Sequence, residues 1–289
     1  MNENRPLGEH VRFGSLDSLS QHLVTTAWDV SHRAFCFQSN FPVGSAILAE
    51  NAAGETKVFH GCNVENNFFP ATICAERNAG TTAVAEGYTR FSAVAVVCRK
   101  IPGGSPCGLC RQFLTQFGLD ATLLCVVDHD KNVQLGTVGD LLPAATGLVL
   151  PLSDLPRTDA ARVQRLLELK ARSYVPYSKN PRGAIFRAAN AAGSFKNFSG
   201  MACDNASYGG SIAAENVAMY AARTAGYTVS PLLSVTVSDV HSHNPIDGEV
   251  LQVLREFGKN PDIILIDDSR MLVTDLIRLL PDSFGPESL

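Results

Sequence analysis

The sequence has no run of apolar residues near the roughly 20 that a bilayer-spanning helix needs, and no stretch that concentrates lysine and arginine. Its 289 residues carry 24 basic and 28 acidic side chains, for a formal net charge of −4. Proteins that bind polymeric nucleic acid need a basic surface against the phosphates. The first ten residues are polar and lack the apolar core of a signal peptide. We therefore expect a cytoplasmic protein with a small ligand, no membrane and no polynucleotide partner.

Eight cysteines are present, and in a reducing compartment cysteines are more often buried, metal-bound or catalytic than disulfide-linked. Two of them, Cys107 and Cys110, form a Cys-x-x-Cys motif, and Cys74 opens the triplet Cys-Ala-Glu that ends at Glu76. The other five have no partner at metal spacing, and we expect small buried apolar side chains there. They are Cys36, Cys62, Cys98, Cys125 and Cys203.

The three motif cysteines can bind zinc. Three protein ligands leave one position for a water, whereas four usually hold structure only. Glu76 lies two residues after Cys74, about 200° around a helix, so it is better placed to move protons than to ligate. The pattern predicts one Zn²⁺ per chain, ligated by Cys74, Cys107 and Cys110, and hydrolytic chemistry. The alternatives are a redox motif or a closed structural site. The fourth ligand of a closed site would be Cys62 or Cys98.

The predicted helix N-termini favour the thiolate form of the motif cysteines. Ser105 followed by a proline is typical of an N-cap and a first helical residue, which places Cys107 in the first turn. The partial positive charge of a helix N-terminus lowers the pKa of a thiol. Three thiolates on Zn²⁺ leave a net negative charge, and we expect Arg77 to offset it by hydrogen bonds to the sulfurs.

The chain repeats itself at a shift of 139 residues, as from Asn51 to Asn190, each of which opens an Asn-Ala-Ala-Gly turn. Further pairs at the same shift are Gly44 and Gly183, Lys57 and Lys196, Phe59 and Phe198, Gly61 and Gly200, and Glu76 and Glu215. We expect a catalytic domain over residues 1–147, a linker over 148–158 and a degenerate domain over 159–289. The positions of the three cysteine ligands are taken in the second copy by Ala213, Asp247 and Val250.

The same order of elements is predicted in both copies. Helical patterns over Leu16–Phe35 and Asp159–Ser173 each precede a hairpin-like pair of strands. In the first copy a helix over Cys74–Glu86 follows. A strand, a helix and a strand come next, over Ser92–Cys98, Cys107–Phe117 and Thr122–Val127. Alternating strands and helices predict two copies of a three-layer α/β fold with a mixed sheet.

Three segments, Asn63–Asn66, Thr72–Arg77 and Ser105–Gln112, resemble the signature of the cytidine deaminase family, and Phe41–Gly44 resembles the segment before it. The resemblance covers the first copy and, more weakly, the second, as in two-domain members with one degenerate copy. It implies zinc-dependent hydrolytic deamination of cytidine and 2′-deoxycytidine in pyrimidine salvage. Activated water would attack C4 of cytosine while Glu76 moves the protons.

The resemblance also implies the substrate-binding residues. These are Phe41, Asn63, Glu65, Ala75 and Phe284, of which Asn63 and Glu65 match the pair that holds the ribose hydroxyls. In the family, the phenylalanine of the tail enters the site of a neighbouring subunit, although Phe284 packing its own tail is an alternative. Two domains per chain imply a homodimer. The alternative functions are deamination of another aminopyrimidine nucleoside and a zinc-stabilised scaffold without turnover. Two-domain relatives usually have histidine where this chain has Cys74.

Overall fold

A computed structural model describes residues 7–101, 103–144, 147–154, 157–227, 234–237, 245–267, 270–283 and 285–286. The chain divides into two compact units, Met1–Leu142 with Pro281–Leu289, and Pro143–Leu280. The last nine residues therefore group with the first unit.

The first unit contains six strands and four α-helices in the part that the structure describes. In chain order they are β1 (His10–Val11), α1 (Ser18–Ser31), β2 (Val43–Asn51), β3 (Thr56–Cys62), α2 (Ala75–Ala85), β4 (Tyr88–Cys98), α3 (Gly108–Thr115), β5 (Thr122–Val126), β6 (Val133–Thr137) and α4 (Val138–Leu141). The strands form one sheet in the order β1-β6-β5-β4-β2-β3. Only β4 and β5 pair in parallel, and the other neighbours are antiparallel. The predicted mixed sheet is confirmed.

Side-chain alternation along β4 separates the two apolar layers of the first unit, because successive residues of a strand point to opposite faces. Val94 and Val96 pack with residues of α2 and α3 on one face. Ala95 and Val97 pack with Leu23 and its neighbours of α1 on the other face. The unit is thus a three-layer α-β-α structure, as expected. The face that carries α2 and α3 is also the face of the motif cysteines.

The second unit repeats this topology. Its elements are β7 (Leu148–Pro151), α5 (Arg157–Ala171), β8 (Gly183–Ala189), β9 (Phe195–Met201), α6 (Ala214–Thr224), β10 (Ser234–Val237), α7 (Gly248–Leu254), β11 (Asp262–Ile266), β12 (Arg270–Asp275) and α8 (Leu276–Leu279). The sheet order is β7-β12-β11-β10-β8-β9, with β10 and β11 parallel. The segment 148–158, expected to be a linker, contains β7 and the start of α5.

A glycine in β3 sets how closely α2 lies against the sheet. A Cβ on Gly61 would stand 2.6 Å from the Ala79 nitrogen and 2.9 Å from the Ala75 oxygen, closer than side chains tolerate. Gly200 in β9 has the same relation to α6, where a Cβ would stand 2.0 Å from the Ala214 oxygen. The repeated glycine therefore allows helix backbone to contact strand backbone in both units.

The five cysteines without a partner at metal spacing differ in burial. Cys98 and Cys125 are buried, as expected, but Cys36 and Cys62 are half-buried and Cys203 is exposed. The expectation of burial was wrong for Cys203, because it lies in an isolated bridge with Tyr174 and Ile212 outside the sheet.

Candidate metal centre

Three sulfur atoms converge at the N-termini of two helices. The Sγ atom of Cys107 lies 3.8 Å from that of Cys74 and 3.4 Å from that of Cys110. All three sulfurs lie within 4.8 Å of one another. Within the part of the chain that the structure describes, neither Cys62 nor Cys98 joins this group.

The spacing of the sulfurs fits zinc. Tetrahedral zinc with Zn–S bonds of about 2.3 Å holds its sulfur ligands about 3.8 Å apart. The two sulfur–sulfur distances given above are close to that value. Three soft thiolates also favour zinc over the hard cations, which prefer oxygen. The donor set leaves a fourth tetrahedral position without a cysteine.

The backbone places two of the three ligands as helix N-caps. Cys74 precedes α2 and Cys107 precedes α3, both with extended backbone, and the Cys107 sulfur accepts a hydrogen bond from the Cys110 nitrogen. The prediction that Ser105 caps this helix was wrong, because Cys107 itself takes the N-cap position. The Ser105 hydroxyl instead donates to the carbonyl of Asp282 and accepts from Arg111.

The charge around Cys74 favours its thiolate. Hydrogen bonds from Cys107 and Cys110 hold the pKa of Cys74 well below its usual value, and the positive charge of Arg77 adds to this effect. The Arg77 Nη2 atom lies 3.9 Å from the Cys74 sulfur and donates to the Thr72 carbonyl at 3.2 Å. The guanidinium is therefore within reach of the sulfur cluster.

The carboxyl group of Glu76 is buried beside the sulfurs. Its side chain is buried, with a residue exposure of 3 %. Burial, together with the neighbouring Cys74 sulfur, raises the pKa of Glu76 to about 7. A carboxyl group with a pKa near neutrality can both take and give a proton at physiological pH.

A cavity of about 200 Å³ opens beside the sulfurs. Its wall includes Cys74, Ala75, Glu76 and Cys107, so that the predicted metal ligands and the acid face one space. The expected substrate-binding residues that line the same cavity are Phe41, Asn63, Glu65 and Ala75. Phe284 lies outside the described residues.

Asn63 and Glu65 fix the loop that forms one cavity wall. The Asn63 side chain accepts from the Val43 nitrogen at 2.8 Å and donates to the Phe41 carbonyl at 2.9 Å. Glu65 accepts from the nitrogen of Gln38 at 2.8 Å and from the Ser39 hydroxyl. Slight desolvation raises the pKa of Glu65, but these hydrogen bonds outweigh it and hold the pKa below its ordinary value. Glu65 is thus an anion at the cavity.

Several cavity residues gave no signal in the sequence. Val96 lies near the end of β4, and Ile101 and Gly104 follow in the loop before α3; all three line the cavity. Their roles depend on the way that β4, α2 and α3 meet, and no motif marks them. Residues of this kind show in the sequence only as the apolar end of a strand and the loop after it.

In the second unit, a guanidinium lies beside the glutamate that corresponds to Glu76. Arg182 stands where the first unit has Val43, and its nitrogens lie 3.5 Å from Glu215 and 3.6 Å from Asp247. Arg182 also donates to the Pro245 carbonyl. Burial raises the pKa of Glu215, and the charge of Arg182 opposes that effect. A cation from the chain itself thus lies beside the retained glutamate.

Comparison with known proteins agrees with the family resemblance found in the sequence. Residues 17–126 match the family model described as the cytidine and deoxycytidylate deaminase zinc-binding region. This match and the cysteine cluster identify zinc as the cofactor. A cytidine deaminase of Sporosarcina psychrophila is 36% identical over 125 residues, which cover 43% of this chain and 89% of that protein. A cytidine deaminase of Aliivibrio fischeri is 28% identical over 247 residues, and this match covers 78% of this chain and 75% of that protein.

Among solved structures, the cytidine deaminase of Burkholderia pseudomallei has 38% sequence identity and a TM-score of 0.39, and it covers 44% of this chain and 98% of its own. The match to Sporosarcina psychrophila spans nearly all of that protein at more than a third identity. The match to Aliivibrio fischeri continues into the second unit of this chain. The sequence, the sulfur cluster and the match to the protein of Sporosarcina psychrophila lead to one conclusion: this chain is a member of the cytidine deaminase family.

Proposed function

We propose that this protein is a zinc enzyme that hydrolyses cytidine and 2′-deoxycytidine to uridine and 2′-deoxyuridine, as in pyrimidine salvage. The observation that carries the proposal is the buried carboxyl group of Glu76, which shares one cavity wall with Cys74 and Cys107. Two similar proteins, from Sporosarcina psychrophila and Aliivibrio fischeri, bear the name cytidine deaminase. Deamination needs a proton carrier beside an activated water, and this wall supplies one.

When bound by the three cysteines, zinc supplies the Lewis acidity that makes a water nucleophilic at neutral pH. Glu76 takes a proton from that water, gives one to the ring nitrogen N3 of cytosine, and assists the departure of the amino group as ammonia. Its burial excludes bulk water, so the same carboxyl group retains the proton between these steps. The products are one uracil nucleoside and one ammonia for each water consumed.

The part of the cavity wall that Asn63 and Glu65 form suits the sugar of a nucleoside. Glu65 is an acceptor for hydroxyl donors, and its negative charge disfavours a phosphate at the same place. Asn63 has two amide hydrogens, and its bond to Phe41 uses one of them. We assign Phe41 and Ala75 to the walls that contact the nucleoside. A nucleoside therefore fits this wall better than a nucleotide.

We also propose that the first unit is the catalytic one and that the second is a degenerate duplicate. Ala213, Asp247 and Val250 replace the three sulfur ligands, and Arg182 contacts both Glu215 and Asp247. A guanidinium already neutralises the glutamate there, so the second unit needs no metal to remain folded.

Replacing Glu76 by glutamine tests the assignment. Purified wild-type protein should convert cytidine and deoxycytidine, followed by ultraviolet absorbance, and should convert their monophosphates much more slowly. Glu76→Gln should lose activity by about 10²-fold or more, the usual contribution of a general acid–base residue. Its zinc content should remain that of the wild type, because the three sulfurs are intact.

The second unit provides the matched control, since Glu215 holds the same position in the repeat. Glu215→Gln should keep both the activity and the zinc content. A wild-type protein that binds zinc but turns over none of the four compounds would favour a scaffold or another aminopyrimidine substrate. Equal activity of Glu76→Gln and wild type would rule out the assigned role.

A further inference from the structure

The helix that carries Cys110 also carries a fully buried arginine. Arg111 is 1 % exposed, and desolvation lowers its pKa to about 10. Its guanidinium donates to the carbonyls of Pro106, Leu141 and Pro281, and to the Ser105 hydroxyl at 2.9 Å. One side chain thus binds chain segments on three sides.

The fold by itself does not require this arginine. The second unit builds the same sheet order and the same helix, α7, yet it has Leu251 at the corresponding position, four residues after Asp247 just as Arg111 follows Cys107. Leu251 is buried with 1 % exposure. A buried guanidinium costs more to desolvate than a buried leucine. The copy that lost the zinc ligands has also lost the arginine, which points to a role at the metal centre.

Arg111 binds the two residues that immediately precede the ligand Cys107. Pro106, whose carbonyl accepts from Arg111 Nε at 2.7 Å, is the residue immediately before Cys107. Ser105 lines the cavity, accepts from Arg111 and donates to the Asp282 carbonyl at 2.7 Å. The orientation of Cys107 is therefore tied through the backbone to both Arg111 and Asp282.

A second group of contacts joins this region to the segment that begins at Pro281. Arg111 and Pro281 are 170 residues apart in sequence, and Ser105 and Asp282 are 177 apart. Both bonds are to backbone carbonyls of Pro281 and Asp282, so they fix the course of the chain there and do not depend on its side chains. The segment that begins at Pro281 groups with the first unit.

We propose that Arg111 is a positioning residue that clamps Pro281 and Asp282 onto α3, the helix that carries Cys110, so that these two residues are a structural part of the metal centre. The clamp holds Ser105 and Pro106, and through them the Cys107 sulfur, in the geometry that zinc needs. Outer groups that orient a metal ligand commonly change metal affinity by 10–100-fold when they are removed. The inference rests on the zinc ligation described above but not on the identity of the nucleoside.

The full-length zinc protein carries the test. Arg111→Lys keeps the charge but lacks the planar fork that serves several acceptors at once, and Ser105→Ala removes only the bond to Asp282 and the acceptor for Arg111. Zinc transfer to a chromogenic chelator should be about 10–100-fold faster in Arg111→Lys than in the wild type, and faster to a smaller extent in Ser105→Ala. Transfer rates of both variants within about twofold of the wild type would overturn the proposal.

A buried arginine of the second unit serves as control for a general loss of stability. Arg182→Lys should lower the thermal midpoint but leave zinc transfer at the wild-type rate. Equal acceleration of zinc transfer in Arg182→Lys and Arg111→Lys would show that destabilisation alone releases zinc, and would contradict a specific clamp.

Truncation after Leu280 gives an independent reading of the same clamp, because it removes both carbonyl acceptors of the C-terminal segment. The truncated protein should release zinc as fast as Arg111→Lys, and the combination of both changes should be no faster than either alone. Additive effects would mean that arginine and tail act separately, and would refute the proposal. Zinc release is measured without nucleoside, so a protein that binds zinc but does not deaminate would leave this test valid.

Discussion

Individual charged residues determine the net charge at the metal centre. Three thiolates and Zn²⁺ sum to a formal charge of −1, and the Arg77 guanidinium lies 3.9 Å from the Cys74 sulfur. We expect a cation at that distance to stabilise the thiolate form of Cys74 and thereby zinc binding by the three sulfurs.

Arg77→Gln should accordingly weaken zinc binding by about 10-fold, the lower end of the range for outer groups of metal centres. Competition with a chelator of known affinity measures it, with Arg77→Lys, which keeps the charge, expected to fall between the variant and the wild type. An unchanged zinc affinity in Arg77→Gln would remove Arg77 from the charge balance.

A second arginine forms a buried ion pair in the second unit. Arg182 lies 3.5 Å from Glu215, whose side chain is completely buried. Replacing Arg182 by valine, the residue of the first unit, leaves this carboxylate without its cation. Breaking a buried pair in this way costs about 3–5 kcal/mol.

The loss should depend on pH with a defined sign. Because burial raises the pKa of Glu215 above that of the unfolded chain, the folded protein takes up the proton at a higher pH than the unfolded one. The destabilisation of Arg182→Val should therefore be largest above neutrality and should shrink as the pH falls toward about 4.3, the ordinary value for glutamate.

Urea unfolding at pH 8 and pH 5 checks both the size and the sign of this effect. The double variant Arg182→Val with Glu215→Gln should recover most of the lost stability, since the fully buried carboxylate of Glu215 is then absent. A single variant as stable as the wild type at pH 8 would contradict the pairing.

At the scale of elements, the two glycines of β3 and β9 allow an internal comparison. Gly61→Ala would push α2 away from β3, and α2 positions Cys74 and Glu76 at its N-terminus. Overpacking of this kind costs about 1–3 kcal/mol. Catalysis should fall more than 10-fold, because misplacement by about 1 Å can cost 10²-fold.

Gly200→Ala introduces the corresponding clash between β9 and α6, in the unit that has no metal ligands. It should destabilise the protein and leave the zinc content and the kinetic constants per folded molecule unchanged. Activity assays and zinc analysis of both variants at a temperature below their unfolding transitions distinguish the two outcomes. Equal loss of activity in both would show that α2 is not the element through which Gly61 acts.

At the scale of the whole molecule, we propose a homodimer with one zinc in each chain. Four phenylalanines of the first unit expose more than half of their surface, which is unusual for a protein without a partner. They are Phe35, Phe37, Phe68 and Phe69. The rings of Phe35 and Phe37 are in contact, with centroids 5.1 Å apart. Closed dimers are the most common way to cover such a surface.

Sedimentation should give about twice the chain mass of 30.9 kDa for the wild type, with one zinc per chain by elemental analysis. Replacing Phe68 and Phe69 by serine should shift the protein toward the monomer, whereas replacing the exposed Tyr220 on α6 tests whether any exposed ring has this effect. A wild-type monomer with full activity would refute the dimer.

For a helix that could cross a membrane, the structure offers no candidate among the residues that it describes.

Local patterns in the sequence determined much of this protein. The cysteine spacing, the Cys-Ala-Glu triplet and the repeat predicted the cluster of three sulfurs, the glutamate beside it and the duplicated mixed sheet. Such features can be read in a sequence because they depend on neighbours a few residues apart, or on one shift that applies along a whole domain. The boundaries of α1, α2 and β5 fall within a few residues of their predicted positions for the same reason.

Tertiary structure alone decided which groups surround the metal centre. Ser105 reads as a helix cap, but its hydroxyl bonds to Asp282, 177 residues away. Arg111 directly follows the Cys-x-x-Cys motif, but its burial against Pro281, 170 residues away, could not be read from that motif. Arg182 carries no motif, although it lies beside the glutamate of the second unit. Contacts between distant parts of a chain leave no periodicity or spacing behind, since only the packing of the sheet and its helices brings those residues together.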